Sequence, residues 1–227
     1  MLNSNLSKTS VCVFDAYGTL FDVSSVARGA QNLLGDQWQA LSDIWRTKQL
    51  QYTWLRSLTG QHTDYWQVTK DALDFAMDSL KIGDENTHHH LMNLYLSISA
   101  YPEVAETLST LKKRGIRLAI LSNGSPKMLQ AATSNAGIGD LFEAILSVEE
   151  VGVFKPHPSV YQLVPDRLKV RKEQVCFMSS NSWDAWSAKS FGFNVLWCNR
   201  FGQVAERIPG TPDGEIGDLS RLPDMIG

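Results

Sequence analysis

Asp15 follows the apolar run Val11-Cys12-Val13-Phe14 and precedes a Gly18-Thr19 turn. A carboxylate at the carboxyl end of a buried strand stands where open α/β sheets place reacting groups. There it can act as a covalent nucleophile, dividing one hard substitution into two easier steps. Alone it reads better as a cap for a turn or the next helix, and the rest of the chain reverses that. Tyr17, two places on, is a poor acid at neutral pH and no metal ligand. The loop Leu121-Ser122-Asn123-Gly124 offers a hydroxyl and backbone N–H groups suited to an anion. Lys155, within Val153-Phe154-Lys155-Pro156-His157-Pro158, supplies an ammonium that, beside Asp15, would hold that carboxylate charged and oriented. In Ser179-Ser180-Asn181-Ser182-Trp183-Asp184 the one carboxylate is Asp184, which also suits the N-terminus of a following helix. Arg46, within Ile44-Trp45-Arg46-Thr47-Lys48-Gln49-Leu50, is a planar cation able to stabilise charge as it develops.

Five apolar runs provide the strands to carry these groups: Val11 to Phe14, Leu118 to Leu121, Ala144 to Val148, Val175 to Met178 and Val195 to Cys198. Strict alternation is missing from them, as expected of a parallel sheet covered on both faces. Helical spacing fills the intervals. Pro102 to Lys113 stops at Gly115, Pro126 to Ala136 stops at Gly137, and Trp183 to Phe191 closes on Gly192. A further helix starts near Pro158 and is expected to kink or end at Pro165. From Asp22 to Ser99 only helical patterning occurs, with Trp38, Leu41, Trp45, Leu55 and Leu58 on one spacing. A parallel crossover needs only about a dozen residues, so this stretch is an insertion. The expected fold is α/β: a Rossmann-like parallel-sheet core (1–21 and 100–227) with an inserted α-helical cap subdomain (22–99) over Asp15.

A chain of 227 residues suits a core with one inserted subdomain. A net charge of −3 gives no reason to expect nucleic acid or an anionic membrane as partner. Met1 to Ser10 is polar and no stretch is long enough to span a bilayer. Cys12, Cys176 and Cys198 fall in predicted strands without paired spacing, so buried free thiols and a cytoplasmic location are expected. His88, His89 and His90 are consecutive on a helix and point apart, so they cannot share a metal. The seven tryptophans lack a basic stripe and read as core and pocket packing.

The run Asp15-Ala16-Tyr17-Gly18-Thr19-Leu20 resembles the first motif of the haloacid dehalogenase superfamily, and the match is closest to the L-2-haloacid dehalogenases over nearly the whole chain. In the phosphatase branch the position of Tyr17 holds a second aspartate, which protonates a leaving alcohol. A halide leaves without a proton, so Tyr17 suits carbon–halogen cleavage. The resemblance implies a hydrolase acting on carbon–halide bonds: Asp15 displaces halide from an L-2-haloalkanoic acid, and water then hydrolyses the ester to a D-2-hydroxy acid. It implies that Ser122 and nearby amides hold the substrate carboxylate, while Arg46 and Asn123 face the halide. Asp184 positions or activates the water, Ser179 and Asn181 orient the carboxylates, and Thr19 and Lys155 belong to the catalytic set. Tyr161 supports this cluster through its hydroxyl. Ala16, Tyr17, Leu50, Tyr65 and Trp183 line the substrate, and a homodimer is expected. No metal or other cofactor is expected, because after the fourth strand a lone Asp184 replaces the paired acids of metal-dependent relatives. A metal-dependent phosphatase and a non-catalytic small-acid binder stay open as alternatives.

Overall fold

The computed structural model describes residues 6–226. Six parallel strands form one sheet: β1 (Val11–Phe14), β2 (Arg117–Ser122), β3 (Ala144–Ser147), β4 (Val175–Ser179), β5 (Asn194–Cys198) and β6 (Gly214–Ile216), in the order β3-β2-β1-β4-β5-β6. Every residue of β1, β4 and β5 is buried, which explains why those runs do not alternate. The strand β6 is not among the apolar runs of the sequence. Its three residues include Gly214 and the exposed Glu215, too short and too polar to stand out from a loop.

Register determines what reaches the carboxyl edge. Phe14 pairs with Ile120 on one side and Met178 on the other, so β1, β2 and β4 end almost level. Asp15 adds one more rung through its N–H to the Met178 carbonyl, at 2.9 Å. Strand order reverses direction at β1 and β4, where open α/β sheets form their binding crevice.

Between β1 and β2 come α1 (Val23–Leu34), α2 (Trp38–Thr59), α3 (Tyr65–Leu80), α4 (Glu85–Leu96) and then α5 (Val104–Lys113). The chain leaves and re-enters the core at one point. The Asp22 N–H donates to Ser99 O at 2.9 Å, and the Tyr101 N–H to Leu20 O at 3.0 Å. Asp22 and Asp64 cap α1 and α3 by accepting backbone N–H groups, as short polar side chains do at helix starts. On α2 the buried residues are Leu41, Trp45, Gln49 and Thr53, four apart. Leu55 and Leu58, which share the helical spacing of Leu41 and Trp45, are 55% and 84% exposed, because that stripe drifts past them in the last turns.

The remaining helices are α6 (Pro126–Asn135), α7 (Pro158–Leu168), α8 (Ser182–Phe191) and α9 (Leu222–Met225). Pro165 does not end α7, which continues to Leu168. The proline removes one donor to the Tyr161 carbonyl, but Val160, Leu163, Val164 and Leu168 are buried, and their packing outweighs it. The three cysteines are buried and unpaired. Among the described residues no helix is long and apolar enough to cross a membrane.

Candidate active site

Asp15 emerges from β1 into a turn closed by Leu20 and Phe21 N–H groups donating to Ala16 O, at 2.9 and 3.0 Å. Gly18 takes φ +90°, a conformation open to glycine and strained for other residues. The carboxylate is gripped on both oxygens. Oδ1 accepts from Lys155 Nζ at 3.1 Å, while Oδ2 accepts from Asn181 Nδ2 at 2.8 Å and Thr19 Oγ1 at 3.2 Å. The Thr19 hydroxyl itself accepts the Ser180 N–H at 2.8 Å, so its own proton is directed at Asp15.

Lys155 lies between two carboxylates, with Asp184 Oδ2 at 2.8 Å. Burial opposes its charge, but Asp15 and Asp184 outweigh burial and hold its pKa above the ordinary lysine value. Asp184 is held on its other oxygen by the Tyr161 hydroxyl at 2.7 Å. Burial, only partly offset by Lys155 and reinforced by Asp15, raises the Asp184 pKa above the ordinary carboxylate value. A buried carboxylate raised in this way is a stronger base once ionised. Tyr161, pushed up by burial and then by Asp184, stays a hydroxyl donor.

Lys155 and β2 are tied together by Asn123, whose Oδ1 accepts the Lys155 N–H at 3.0 Å. That commits the carbonyl end of the amide and leaves its NH₂ end for another acceptor. Ser122, at the end of β2, accepts the Gly124 N–H on its Oγ at 3.1 Å. A Cβ on Gly124 would lie 2.8 Å from the Tyr17 ring, so glycine here makes room for Tyr17. The Tyr17 ring stacks near Tyr65 and Tyr95, each with centroids 6.1 Å away. Burial, then Tyr65, Tyr95 and Asp15, push its hydroxyl well above the usual tyrosine range, so Tyr17 holds its proton.

From α2, Arg46 reaches across to the core. Its Nη2 donates to Asn181 Oδ1 at 2.9 Å, and its Nη1 to Gln49 Oε1 at 2.7 Å and Tyr65 Oη at 3.4 Å. Asn181 therefore joins Arg46 to Asp15 through its two amide atoms. Beside this contact opens a cleft of about 490 Å³, lined by Arg46, Leu50, Asn181 and Trp183 among others.

Asp15, Thr19, Lys155, Asn123, Asp184, Tyr161, Asn181, Arg46 and Tyr65 are joined by hydrogen bonds, and Leu50 and Trp183 line the cleft beside Arg46. Ser179 touches neither carboxylate; its Oγ accepts the Asn181 N–H at 3.2 Å and donates to Asn181 O at 3.3 Å. It closes the turn that presents Asn181, and so acts on Asp15 through Asn181. Gln49, which accepts from Arg46, and Thr69, which accepts from Gln49, carry no motif in the sequence. The available signal was Gln49 itself, a polar side chain on the stripe of Leu41 and Trp45.

Fold and site define a class: an open α/β protein whose strand-end carboxylate, clamped by a lysine and two side-chain donors, is presented as a nucleophile. The chain belongs to the haloacid dehalogenase-like hydrolase family, whose model matches residues 9–192. It is 44% identical to (S)-2-haloacid dehalogenase 2 of Pseudomonas sp. (strain CBS-3), over 94% of each chain. It is 42% identical to (S)-2-haloacid dehalogenase 4A of Burkholderia cepacia, over 93% of this chain and 92% of that one. Among solved structures it matches L-2-haloacid dehalogenase from Xanthobacter autotrophicus with chloropropionic acid covalently bound, at TM-score 0.89 and 37% identity. That match covers 96% of this chain and 98% of the other.

Proposed function

We propose that this protein is an (S)-2-haloacid dehalogenase, converting L-2-haloalkanoic acids to D-2-hydroxy acids and halide. The observation that carries the reading is the Asp15 carboxylate held by Lys155, Asn181 and Thr19, with Tyr17 where a proton-donating acid would otherwise stand. In the first step an Asp15 oxygen bonds to Cα from the side opposite the halogen. The carbon–halogen bond breaks, the halide leaves with its electron pair, and Cα inverts. The resulting ester fits the covalently bound chloropropionic acid described for the relative from Xanthobacter autotrophicus.

Arg46 and the NH₂ end of Asn123 stabilise the departing halide, and no proton donor is required of Tyr17. The substrate carboxylate lies against Ser122 and the neighbouring amides, and its alkyl group against Ala16, Tyr17, Leu50, Tyr65 and Trp183. In the second step Asp184 takes a proton from water as that water attacks the carbonyl of the Asp15 ester. The tetrahedral carbon then expels the original Asp15 oxygen, which takes the proton from Asp184 and leaves as the product hydroxyl, while the second water proton passes to solvent and Asp15 is again a carboxylate. Tyr161 and Lys155 hold Asp184 in place for this step.

No cofactor is invoked. After β4 the carboxylate facing Asp15 is Asp184 alone, and the Lys155 ammonium bridges the two at 3.1 and 2.8 Å. The helical segment 22–99 acts as a cap, closing Arg46 over the core and excluding water from the first step. We further read the protein as cytoplasmic and as a homodimer, for which the exposed Leu55 and Leu58 offer an apolar face.

Halide release from each enantiomer of 2-chloropropionate, in the presence of a chelator, tests the function. Release from the L form alone supports it. Absence of release from folded protein, with magnesium-dependent release of phosphate from phosphate esters, would replace it with the phosphatase reading.

A further inference from the structure

Arg46 stands on a helix of the inserted segment, yet its guanidinium must meet a halide leaving an atom held by the core. Its hydrogen bonds engage Nη1 twice and Nη2 once, out of a fork of five N–H donors. Asn181 and Tyr65 also serve other purposes, on Asp15 and in the aromatic wall. Gln49 is different. It is fully buried, it is one helical turn after Arg46, and it touches neither Asp15 nor the core carboxylates.

Its amide orientation is set from behind. Gln49 Nε2 donates to Thr69 Oγ1 at 2.9 Å, and that hydroxyl gives its only proton to Tyr65 O at 2.7 Å. Thr69 can therefore only accept from Gln49, so the amide cannot turn over without losing both contacts. Its carbonyl is thus committed to the side of Arg46 Nη1, at 2.7 Å. Trp45 Nε1 fixes the α3 end of the chain by donating to Thr69 O at 2.8 Å. A buried polar amide costs stability unless its bonds are made, and here each bond made serves to orient one cation.

We infer that Gln49 is a positioning residue: with Thr69 it locks the Arg46 fork in the orientation that leaves its remaining donors to the departing halide. This rests on the role of Arg46 given above. A cation displaced by about 1 Å loses on the order of 10²-fold in rate, and the loss falls on the step in which the halide separates. Chloride, the poorer leaving group, depends on that stabilisation more than bromide.

The test compares the wild type with Gln49→Leu, Gln49→Glu and Arg46→Lys, by single-turnover halide release from L-2-chloro- and L-2-bromopropionate. Thermal unfolding is followed in parallel. Gln49→Leu is expected to slow chloride release on the order of ten- to a hundred-fold, to slow bromide release less, and to leave hydrolysis of the preformed ester near the wild-type rate. Gln49→Glu keeps an acceptor for Arg46, with the Thr69 hydroxyl free to turn and donate to it, and should restore most of the wild-type chloride-to-bromide ratio. If Gln49→Leu slows both halides and ester hydrolysis equally, or alters only the melting temperature, Gln49 is merely structural and the inference is overturned. If Arg46→Lys itself leaves the chloride-to-bromide ratio untouched while Asp15 is still alkylated, Arg46 does not serve the halide and the inference falls while the dehalogenase reading stands. A wild type that alkylates Asp15 with neither halide overturns the reading beneath it.

Discussion

Asp15 owes its reactivity to neighbours that are themselves held. Asn181 spans Asp15 and Arg46, Thr19 is aimed by the Ser180 N–H, and Lys155 is shared with Asp184. Asp15→Asn should abolish halide release while the protein stays folded, read by single-turnover assay and circular dichroism. Asp184→Asn should slow ester hydrolysis more than ester formation, so mass spectrometry of the quenched protein should find Asp15 carrying substrate. Equal slowing of both steps would remove Asp184 from its assigned role. The pH profile follows from direction alone. Ester hydrolysis needs ionised Asp184, whose pKa is raised by burial, so kcat should be lost as pH falls and with a midpoint above the ordinary value of about 3.9. Lys155, raised by its two carboxylates, should keep its charge to at least about pH 10, so it contributes no alkaline loss below that. These residues were legible because strand ends and loop motifs announce them. Ser179 belongs to the same motif but acts on the Asn181 backbone, and Gln49 was harder, since a side chain that acts on another side chain leaves no pattern of its own in sequence.

At the level of elements, the turns matter more than the strands. Gly124 leaves the Tyr17 ring its place, so Gly124→Ala, with a contact of 2.8 Å to relieve, should displace that ring. Overpacking of this kind costs about 1–3 kcal/mol, and a raised KM for L-2-chloropropionate with a modest fall in melting temperature is expected. An unchanged KM would separate Tyr17 from the substrate wall. The five longer strands were readable from apolar runs, and α5, α6 and α8 from spacing and terminal glycines. The differences have physical causes. Pro165 is tolerated because buried side chains on both sides of it secure α7. Leu55 and Leu58 left the packed face because a spacing of four residues drifts steadily around a helix of 3.6 per turn. β6 borrows its strand character from pairing with β5, which a three-residue segment cannot signal alone.

Across the whole molecule, three charges share one nearly dry site: Lys155 is 1% exposed, and the side chains of Asp15 and Asp184 are 9% and 0% exposed. Such a cluster is costly to the fold and is kept for chemistry. Lys155→Met would leave two facing carboxylates without a cation, a loss of about 3–5 kcal/mol near neutral pH. Because the remaining carboxylates are then favoured in their protonated forms, the deficit in melting temperature should shrink as pH falls toward 4 and widen as it rises. A deficit independent of pH would mean that packing, not charge, is what the substitution removes. The inserted helices complete the site from outside the sheet, and the sequence showed their presence as a long interval without strands. It did not show that α2 delivers Arg46 to Asn181, a contact between residues 135 positions apart.

The central claim is that Asp15, and not water, attacks the substrate carbon. A single turnover of L-2-chloropropionate in ¹⁸O-labelled water, with protein in excess, measures this directly. The account predicts an unlabelled product hydroxyl and one ¹⁸O atom in the peptide containing Asp15. Label in the product of that first turnover, with none in the peptide, would mean that water displaces the halide itself, and would contradict it.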